Sequence, residues 1–215
     1  MRNHCRKTLF PITLYHTNIR ENSVIQREIL SNIQECYESE DLPIPDGWLT
    51  DNLVTSFDDD KLNQKIFEPS KIHEIYAKYI KSVFDKPVNF SLEDMWFNYY
   101  MNGEYQEEHN HINSSPFLTS VHYSCVHYLR FDEKVHQSTV FHDPISVLRA
   151  HSFEIDSNYY SENWSPQVRE GDLLIFPSYL VHHVQKSEPT PNNPRITVAF
   201  NLRLLSYGND GQDQV

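Results

Sequence analysis

The stretch RITVAFNL, residues 195–202, alternates polar and apolar side chains along its whole length. The apolar side chains share one face of an extended strand, and they are Ile196, Val198, Phe200 and Leu202. The other face carries Arg195, Thr197, Ala199 and Asn201. Because successive side chains of a strand point to opposite faces, the apolar face must pack on a core. The opposite face then meets solvent or lines a pocket.

Similar strand-like patterns extend over the second half of the chain. In DMWFNYYMN, residues 94–102, Trp96, Asn98 and Tyr100 share one face. Short runs rich in Tyr, Phe, Val and Ile, separated by Pro, Asn, Asp and Gly, are typical of an all-β sandwich or barrel. The predicted strands are 94–102, 107–112, 117–129, 138–142, 147–155, 172–176, 181–186 and 195–204.

The first half is predicted to support this β core with helices. Residues 8–19 indicate a short strand, and the apolar spacing in 20–39 and 68–84 predicts amphipathic helices. We expect a single domain over residues 1–205, mainly β, with helical support at 20–85 packed outside a β core at 92–205, and a flexible tail at 206–215.

Composition limits the possible functions. Hydrophobic residues make up 39% of the 215 residues, and the net charge of −12 makes a nucleic-acid partner improbable. No apolar run approaches the roughly 20 residues of a membrane span. Three cysteines without a CxxC motif fit a reducing compartment, so a cytoplasmic location is expected.

Histidines are concentrated in the second half, where nine of the twelve lie between His109 and His183. The pair His109-x-His111 is weak evidence by itself, because about 0.7 such pairs are expected by chance at this composition. In a strand, however, residues i and i+2 share a face, so two imidazoles could share a metal ion. The alternative is a solvated pair in a loop.

A second stretch, GDLLIFPSYLVHHV at 171–184, predicts a buried strand, a turn and another strand that begins near His182 and His183. Only one of these two histidines can face inward. If the polar face of 195–202 lines a pocket, Arg195 offers a planar fork for a carboxylate and Thr197 a second donor beside it.

The order of these features resembles the iron(II)/2-oxoglutarate-dependent oxygenases. HNHINSSPFLTSVHY, FHDP, GDLLIFPSYLVHHV and RITVAFNL are similar to short oxygenases of this superfamily from bacteria and phages. The resemblance covers most of residues 9–204. It implies a double-stranded β-helix, or jelly roll, that uses Fe(II), 2-oxoglutarate as co-substrate and O2. It also implies a dioxygenase that hydroxylates an unidentified small-molecule or peptide substrate and releases succinate and CO2.

Carried over position by position, the resemblance makes His109 and His182 metal ligands. His111 stands where the superfamily has Asp or Glu, so it is a third ligand, or an acid such as Asp143 replaces it, or water completes the set. The resemblance further assigns the distal carboxylate of 2-oxoglutarate to Arg195 and Thr197. Asn98 and Tyr123 are predicted to add hydrogen bonds to the co-substrate.

Two alternatives use the same residues. Gly-x5-His-x-His at 103–111 and Gly-x5-Pro-x4-His at 171–182 resemble the two cupin motifs, although the cupin glutamate is missing after His111. A non-catalytic metal- or ligand-binding β-sandwich is the other alternative, and the missing acid favours it. The Arg195-x-Thr197 pair favours the oxygenase. The sequence carries no signal for the prime substrate or the oligomeric state.

Overall fold

A computed structural model describes residues 12–39, 42, 44–50, 53–67, 70–101, 103–112, 121–146, 162–190 and 192–207. The elements in chain order are β1 (Tyr15–Asn18), α1 (Asn22–Ser39), β2 (Val54–Thr55), α2 (Asp60–Phe67), α3 (Ser70–Val83), β3 (Val88–Tyr100), β4 (Gln106–His109), β5 (Tyr123–Arg130), β6 (Thr139–His142), β7 (Asn163–Trp164), β8 (Asp172–Pro177), β9 (His182–Val184) and β10 (Arg195–Tyr207).

The strands form two antiparallel sheets. The major sheet has the order β1-β8-β5-β10-β3-β2, and the minor sheet has the order β4-β9-β6-β7. The long strand β10 lies between β3 and β5, where Thr197 is opposite Asn98 on one side and Tyr128 on the other. This register brings the polar faces of three neighbouring strands together on the inner side of the major sheet.

The outer face of the major sheet packs against the helices. Ile196, Val198, Phe200 and Leu202 of β10 are fully or almost fully buried in one cluster with apolar residues of α1 and α3. Tyr76 of α3 packs against Phe200 in a tilted arrangement, at a ring-centroid distance of 4.7 Å. The predicted apolar face of 195–202 is therefore confirmed as a core face, and the expected helices cover it.

A second core lies between the two sheets. It joins Val126 and Tyr128 of β5 and Phe176 of β8 to Phe141 of the minor sheet. Phe141 and Phe176 meet edge to face at 4.8 Å. Two antiparallel sheets stacked over an apolar core make a jelly roll, so the predicted fold class is confirmed.

Several predicted elements differ in extent. The eight-residue helix α2 and the two-residue strands β2 and β7 were not expected, because elements this short are hard to recognise from the spacing of apolar residues. Strand β10 continues to Tyr207, which pairs with Val88, so it extends two residues beyond the predicted domain end at 205. The predicted strand 147–155 and the tail from 208 lie outside the described residues.

Among the described residues, no helix combines the length and the apolar character that a membrane crossing requires.

Candidate metal centre and co-substrate pocket

Two histidines face each other across the minor sheet. His109 ends β4 and pairs with His182, which begins β9. Between the pairs Gln106–Val184 and His109–His182, β4 advances three residues while β9 advances two, so β4 carries a bulge. Such a bulge re-aims the side chains that follow it. The two imidazole rings lie 4.2 Å apart between centroids.

His111 joins this pair although it lies two residues beyond the end of β4. Its backbone N–H donates to the carbonyl oxygen of Ser178 at 2.9 Å, which fixes the chain after the strand. The His111 ring lies 5.4 Å from that of His109 and 5.2 Å from that of His182. The structure thus brings all three histidines together, with their ligand atoms within 4.8 Å of one another.

Hydrogen bonds determine which nitrogen of each ring can face a metal. The Nδ1 of His109 donates to the Glu107 carbonyl at 2.8 Å, and that of His182 to the Leu180 carbonyl at 2.9 Å. The Nδ1 of His111 donates to the amide oxygen of Asn201 at 2.8 Å. Because these acceptors carry no proton, each Nδ1 holds the hydrogen and each Nε2 keeps its lone pair. Metal-binding histidines are typically oriented in this way.

Burial keeps the three rings neutral. It lowers the pKa of His111 to about 4 and lowers the pKa of His109, while burial and the other two histidines lower that of His182. A neutral imidazole is the form that binds a metal ion. The cluster therefore offers three neutral nitrogen donors at pH 7.

Asp143 does not take part in this cluster. The groups that approach within 4.8 Å of one another here are the three histidines, and Asp143 is not among them. Its carboxylate accepts a hydrogen bond from the backbone N–H of Ile145 at 3.1 Å, in the turn after β6. The structure therefore does not bring Asp143 together with the three histidines.

Arg195 is buried on the inner face of the major sheet with a relative exposure of 3%. Its guanidinium lies over the ring of Tyr100 at 4.5 Å and near that of Tyr128 at 5.5 Å. Its three guanidinium nitrogens have no hydrogen-bond partner among the described residues. A buried cation without an anion is costly, so this position is suited to a carboxylate from a ligand.

Thr197 and Asn98 lie beside Arg195. Thr197 is two residues along β10 on the same face, is buried, and is opposite Asn98 of β3. The Oδ1 of Asn98 is also buried and has no partner in the described part of the chain. The structure therefore brings these three predicted residues to one place, with unused hydrogen-bonding capacity.

Tyr123 lies on the other face of the major sheet. Its ring contacts Phe84 at 5.5 Å and Tyr15 at 6.2 Å, and it packs with the helix-side core. The structure therefore does not bring Tyr123 to the face that carries Arg195, Thr197 and Asn98. The tyrosine that β5 presents to Arg195 is Tyr128, because residue 128 has the opposite parity.

A cavity of about 1110 Å³ opens in front of His109 and His111. Its described lining includes the aromatic rings of Trp48, Phe57 and Trp96. It also includes the carboxylates of Asp58, Asp60, Glu93, Asp94, Glu107 and Glu108. No lysine or arginine occurs among the described residues that line it. The cavity is large enough for a small molecule or a peptide side chain.

The sequence did not assign a role to Asn201. Its amide oxygen accepts from His111 and from the Ser124 hydroxyl at 3.0 Å, and its amide nitrogen lies 3.4 Å from Asp94. Its place on the same strand face as Arg195 was visible from the alternation, but its partner comes from a segment 90 residues away. Sequence parity alone could not supply that contact.

A profile of the family described as "Putative 2OG-Fe(II) oxygenase" matches residues 94–201, half of the chain. The chain belongs to this family. Its oxygenases use Fe(II), 2-oxoglutarate and O2, and the match selects them over the cupin alternative. A comparison with curated protein sequences finds no match.

Several solved structures of other proteins have a similar fold. A prolyl-4-hydroxylase from Pseudomonas putida aligns over 89% of this chain and 92% of its own, with a TM-score of 0.55 and 10% identity. The epimerase SnoN from nogalamycin biosynthesis aligns over 94% and 81%, with a TM-score of 0.60 and 14% identity. HygX from Streptomyces hygroscopicus, solved with nickel and 2-oxoglutarate, aligns over 89% and 83%, with a TM-score of 0.56 and 11% identity. At such identities the likeness concerns the fold alone.

The described residues fit both groups that the family uses. Three neutral imidazoles with oriented Nε2 atoms form a suitable donor set for Fe(II). The unpartnered guanidinium of Arg195 forms a suitable site for a dicarboxylate co-substrate.

Proposed function

We propose that this oxygenase is a dioxygenase that hydroxylates its substrate, with the metal held by His109, His111 and His182 and with 2-oxoglutarate anchored by Arg195. One observation carries the proposal: a buried guanidinium with no partner among the described residues lies on the inner face of the same strand that supplies the hydrogen bond to His111. A protein that did not bind a dicarboxylate would have no use for a cation in that position.

The metal set follows from the three oriented imidazoles. His109 and His182 face each other in the sheet, and His111 takes the place where the superfamily has Asp or Glu. Three neutral ligands leave the Fe(II) site one positive charge higher than a 2-His-1-carboxylate set. That higher charge favours the anionic oxo-acid end of 2-oxoglutarate, which supports a three-histidine centre here.

The co-substrate is positioned by the inner face of β10 and its neighbours. Arg195 pairs with the distal carboxylate, and Thr197 donates a second hydrogen bond to it. The amide of Asn98, opposite Thr197, adds a further polar group to the same face. The rings of Tyr100 and Tyr128 lie 4.5 and 5.5 Å from the guanidinium carbon and limit its contact with water. A planar fork held in this way selects a carboxylate over a neutral group.

When bound, Fe(II) with 2-oxoglutarate and O2 supplies the oxidising power for a C–H bond, and 2-oxoglutarate leaves as succinate and CO2. This chain's residues control access to that chemistry. Phe176 and Phe141 pack behind His182 at ring distances of 4.8 and 5.9 Å, and Trp96 lies 5.6 Å from the His111 ring. An apolar wall on one side leaves the cavity as the route to the centre.

The substrate enters through this cavity. Its carboxylates repel phosphate groups, so nucleic acid stays an unfavourable substrate, while neutral or positively charged small molecules and peptides are compatible with it. The aromatic rings supply apolar contact area.

Succinate formation tests the proposal. Purified protein is incubated with Fe(II), ascorbate, 2-oxoglutarate and air, and succinate is measured with and without a candidate substrate library. Wild type is expected to form succinate above the protein-free background. His182→Ala and Arg195→Met are expected to fall to that background, whereas Arg169→Met, at a side chain that is 72% exposed, is the matched control and retains activity. Equal succinate formation by wild type and His182→Ala would refute the assignment.

A further inference from the structure

The outer face of the minor sheet carries a second group of metal-ligand side chains. Glu108, His142 and His183 place one ligand atom each within 4.8 Å of one another. None of the three is one of the histidines of the centre described above, although Glu108 also lines the cavity in front of that centre. His183 follows His182 directly in β9, and successive strand residues point to opposite faces, so the two groups lie back to back across the sheet.

Three neighbouring strands build this group. The minor sheet runs β4-β9-β6, so His183 of β9 lies in the middle, with Glu108 of β4 on one side and His142 of β6 on the other. The ligands are thus positioned by the sheet itself, with register pairs Val140–His183 and His109–His182 on either side of β9. Ligands on paired strands are held more firmly than ligands on a loop.

The distances are close to those of a metal site. His142 Nε2 lies 3.6 Å from Glu108 Oε1 and 2.7 Å from His183 Nδ1. Zinc binds imidazole nitrogen at about 2.0–2.1 Å, which puts two tetrahedral ligand atoms roughly 3.3 Å apart. The carboxylate is therefore already at a suitable distance. The two histidines share a hydrogen bond that must open by about 0.6 Å to admit an ion.

Charge and access also suit a cation. No lysine or arginine among the described residues pairs with Glu108, so the group carries one uncompensated negative charge when both histidines are neutral. The Glu108 side chain is 65% exposed and that of His142 is 21% exposed, so an ion can reach them from solvent. Two imidazoles and one carboxylate, with open positions for water, match zinc, nickel and copper better than magnesium or calcium.

We propose that Glu108, His142 and His183 form a second divalent transition-metal site of the zinc type, separate from the iron centre. The ion would join the edge strand β4 to β9 and β6. Because β4 also carries His109, the second site fastens the strand that supplies an iron ligand. The proposal rests on these three side chains and does not require the proposed function to be right.

Zinc stoichiometry of the apo protein tests the proposal. Metal-free full-length protein is dialysed against buffered Zn²⁺ and the bound zinc is counted for wild type, His142→Ala, Glu108→Gln and His182→Ala. Wild type is expected to bind two zinc ions, and His142→Ala and His182→Ala one each. A fifth protein that carries both His142→Ala and His182→Ala is expected to bind none. His73→Ala, at an exposed helical position, is the matched histidine control and keeps two.

Glu108→Gln provides a second test if His142→Ala folds poorly. The Glu108 side chain lies largely in solvent, so its replacement should leave folding intact. It is expected to weaken one of the two zinc sites by about tenfold or more, since it removes the only anionic ligand. A single zinc that survives His182→Ala but not His142→Ala would leave the second site standing and refute the three-histidine centre. Two zinc ions in His142→Ala and unchanged affinities in Glu108→Gln would overturn the proposal.

Discussion

Arg195 is the residue on which the account depends most. In an apo protein a buried guanidinium between two tyrosine rings, without a described hydrogen-bond partner, lowers stability. Its position beside Thr197 on the inner face of β10 is explained if a carboxylate from a ligand pairs with it. Arg195 should therefore lower the stability of the apo protein while it strengthens co-substrate binding, and both effects can be measured.

Arg195→Met is expected to stabilise the apo protein and to abolish tight co-substrate binding. Replacing the unpaired cation by an apolar chain should raise the free energy of unfolding by about 1–3 kcal/mol in urea titrations. The same change should weaken 2-oxoglutarate binding to the Mn²⁺-loaded protein by roughly 30-fold to 1000-fold, measured by calorimetry without O2. Arg27→Met, at an exposed position of α1, is the control for both. A destabilised variant with unchanged 2-oxoglutarate affinity would contradict this account of Arg195.

His111 is the residue at which this chain departs from the usual acid. His111→Ala is expected to lower Mn²⁺ affinity by about 100-fold or more, whereas His111→Asp should stay within about tenfold, because a carboxylate is also a good ligand. Mn²⁺ binding followed by electron paramagnetic resonance measures both, with His73→Ala as control. Wild-type affinity in His111→Ala would mean that His111 occupies the position without binding metal.

At the scale of the element, β10 connects the two halves of the site. Its inner face carries Arg195 and Thr197 near one end and Asn201 further along. The Asn201 amide oxygen fixes the His111 ring while the Ser124 hydroxyl donates to the same oxygen. Asn201 is thus a positioning residue, and it acts on the metal through His111.

Asn201→Leu is therefore expected to weaken Mn²⁺ binding by about 10–100-fold, the usual cost of losing the hydrogen bond to a metal-binding imidazole. Asn201→Asp keeps an acceptor and should restore most of the affinity, which a purely structural role would not predict. Leu205→Ala, an exposed change on the same strand, is the control. Equal affinities in Asn201→Leu and wild type would remove Asn201 from the site.

Alternation made the elements of the β core predictable, and it also located Arg195, Thr197 and Asn98 on one face. It failed for Tyr123. Alternation shows which residues of β5 share a face with one another, but only the register between β5 and β10 shows which of those faces carries Arg195. Alternation did suggest His111 as a partner of His109, but it could not predict what positions the ring. His111 lies outside β4 and is held by Ser178 and Asn201 through contacts between distant segments. Such contacts depend on sheet topology, which local sequence patterns do not encode.

At the scale of the whole molecule, the helices are joined to the sheet by a buried polar contact. His127 of β5 is fully buried, and its Nδ1 forms a 2.9 Å hydrogen bond with the Tyr76 hydroxyl of α3. Burial lowers the pKa of His127 from 6.5 to about 3. The ring is therefore neutral in the folded protein at pH values where the unfolded chain is protonated.

This contact predicts a loss of stability in acid. Between about pH 6.5 and 3 the unfolded chain binds a proton at His127 that the folded chain does not, so stability falls as the pH falls, by up to about 1.4 kcal/mol per pH unit. His127→Gln should therefore show a shallower decline than wild type between pH 6.5 and 5 in urea unfolding experiments. His73→Gln, at an exposed position, is the matched control. Identical slopes for wild type and His127→Gln would contradict the assigned pKa.

The central claim is that one centre combines three histidine ligands with an arginine-anchored 2-oxoglutarate. A crystal structure of the protein with Mn²⁺ and 2-oxoglutarate, grown without O2 and phased to locate the metal by anomalous scattering, tests it most directly. We expect a metal peak bound to the Nε2 atoms of His109, His111 and His182, with the distal carboxylate of 2-oxoglutarate on Arg195. A metal bound away from these three nitrogens, or a co-substrate that leaves Arg195 unpaired, would contradict it.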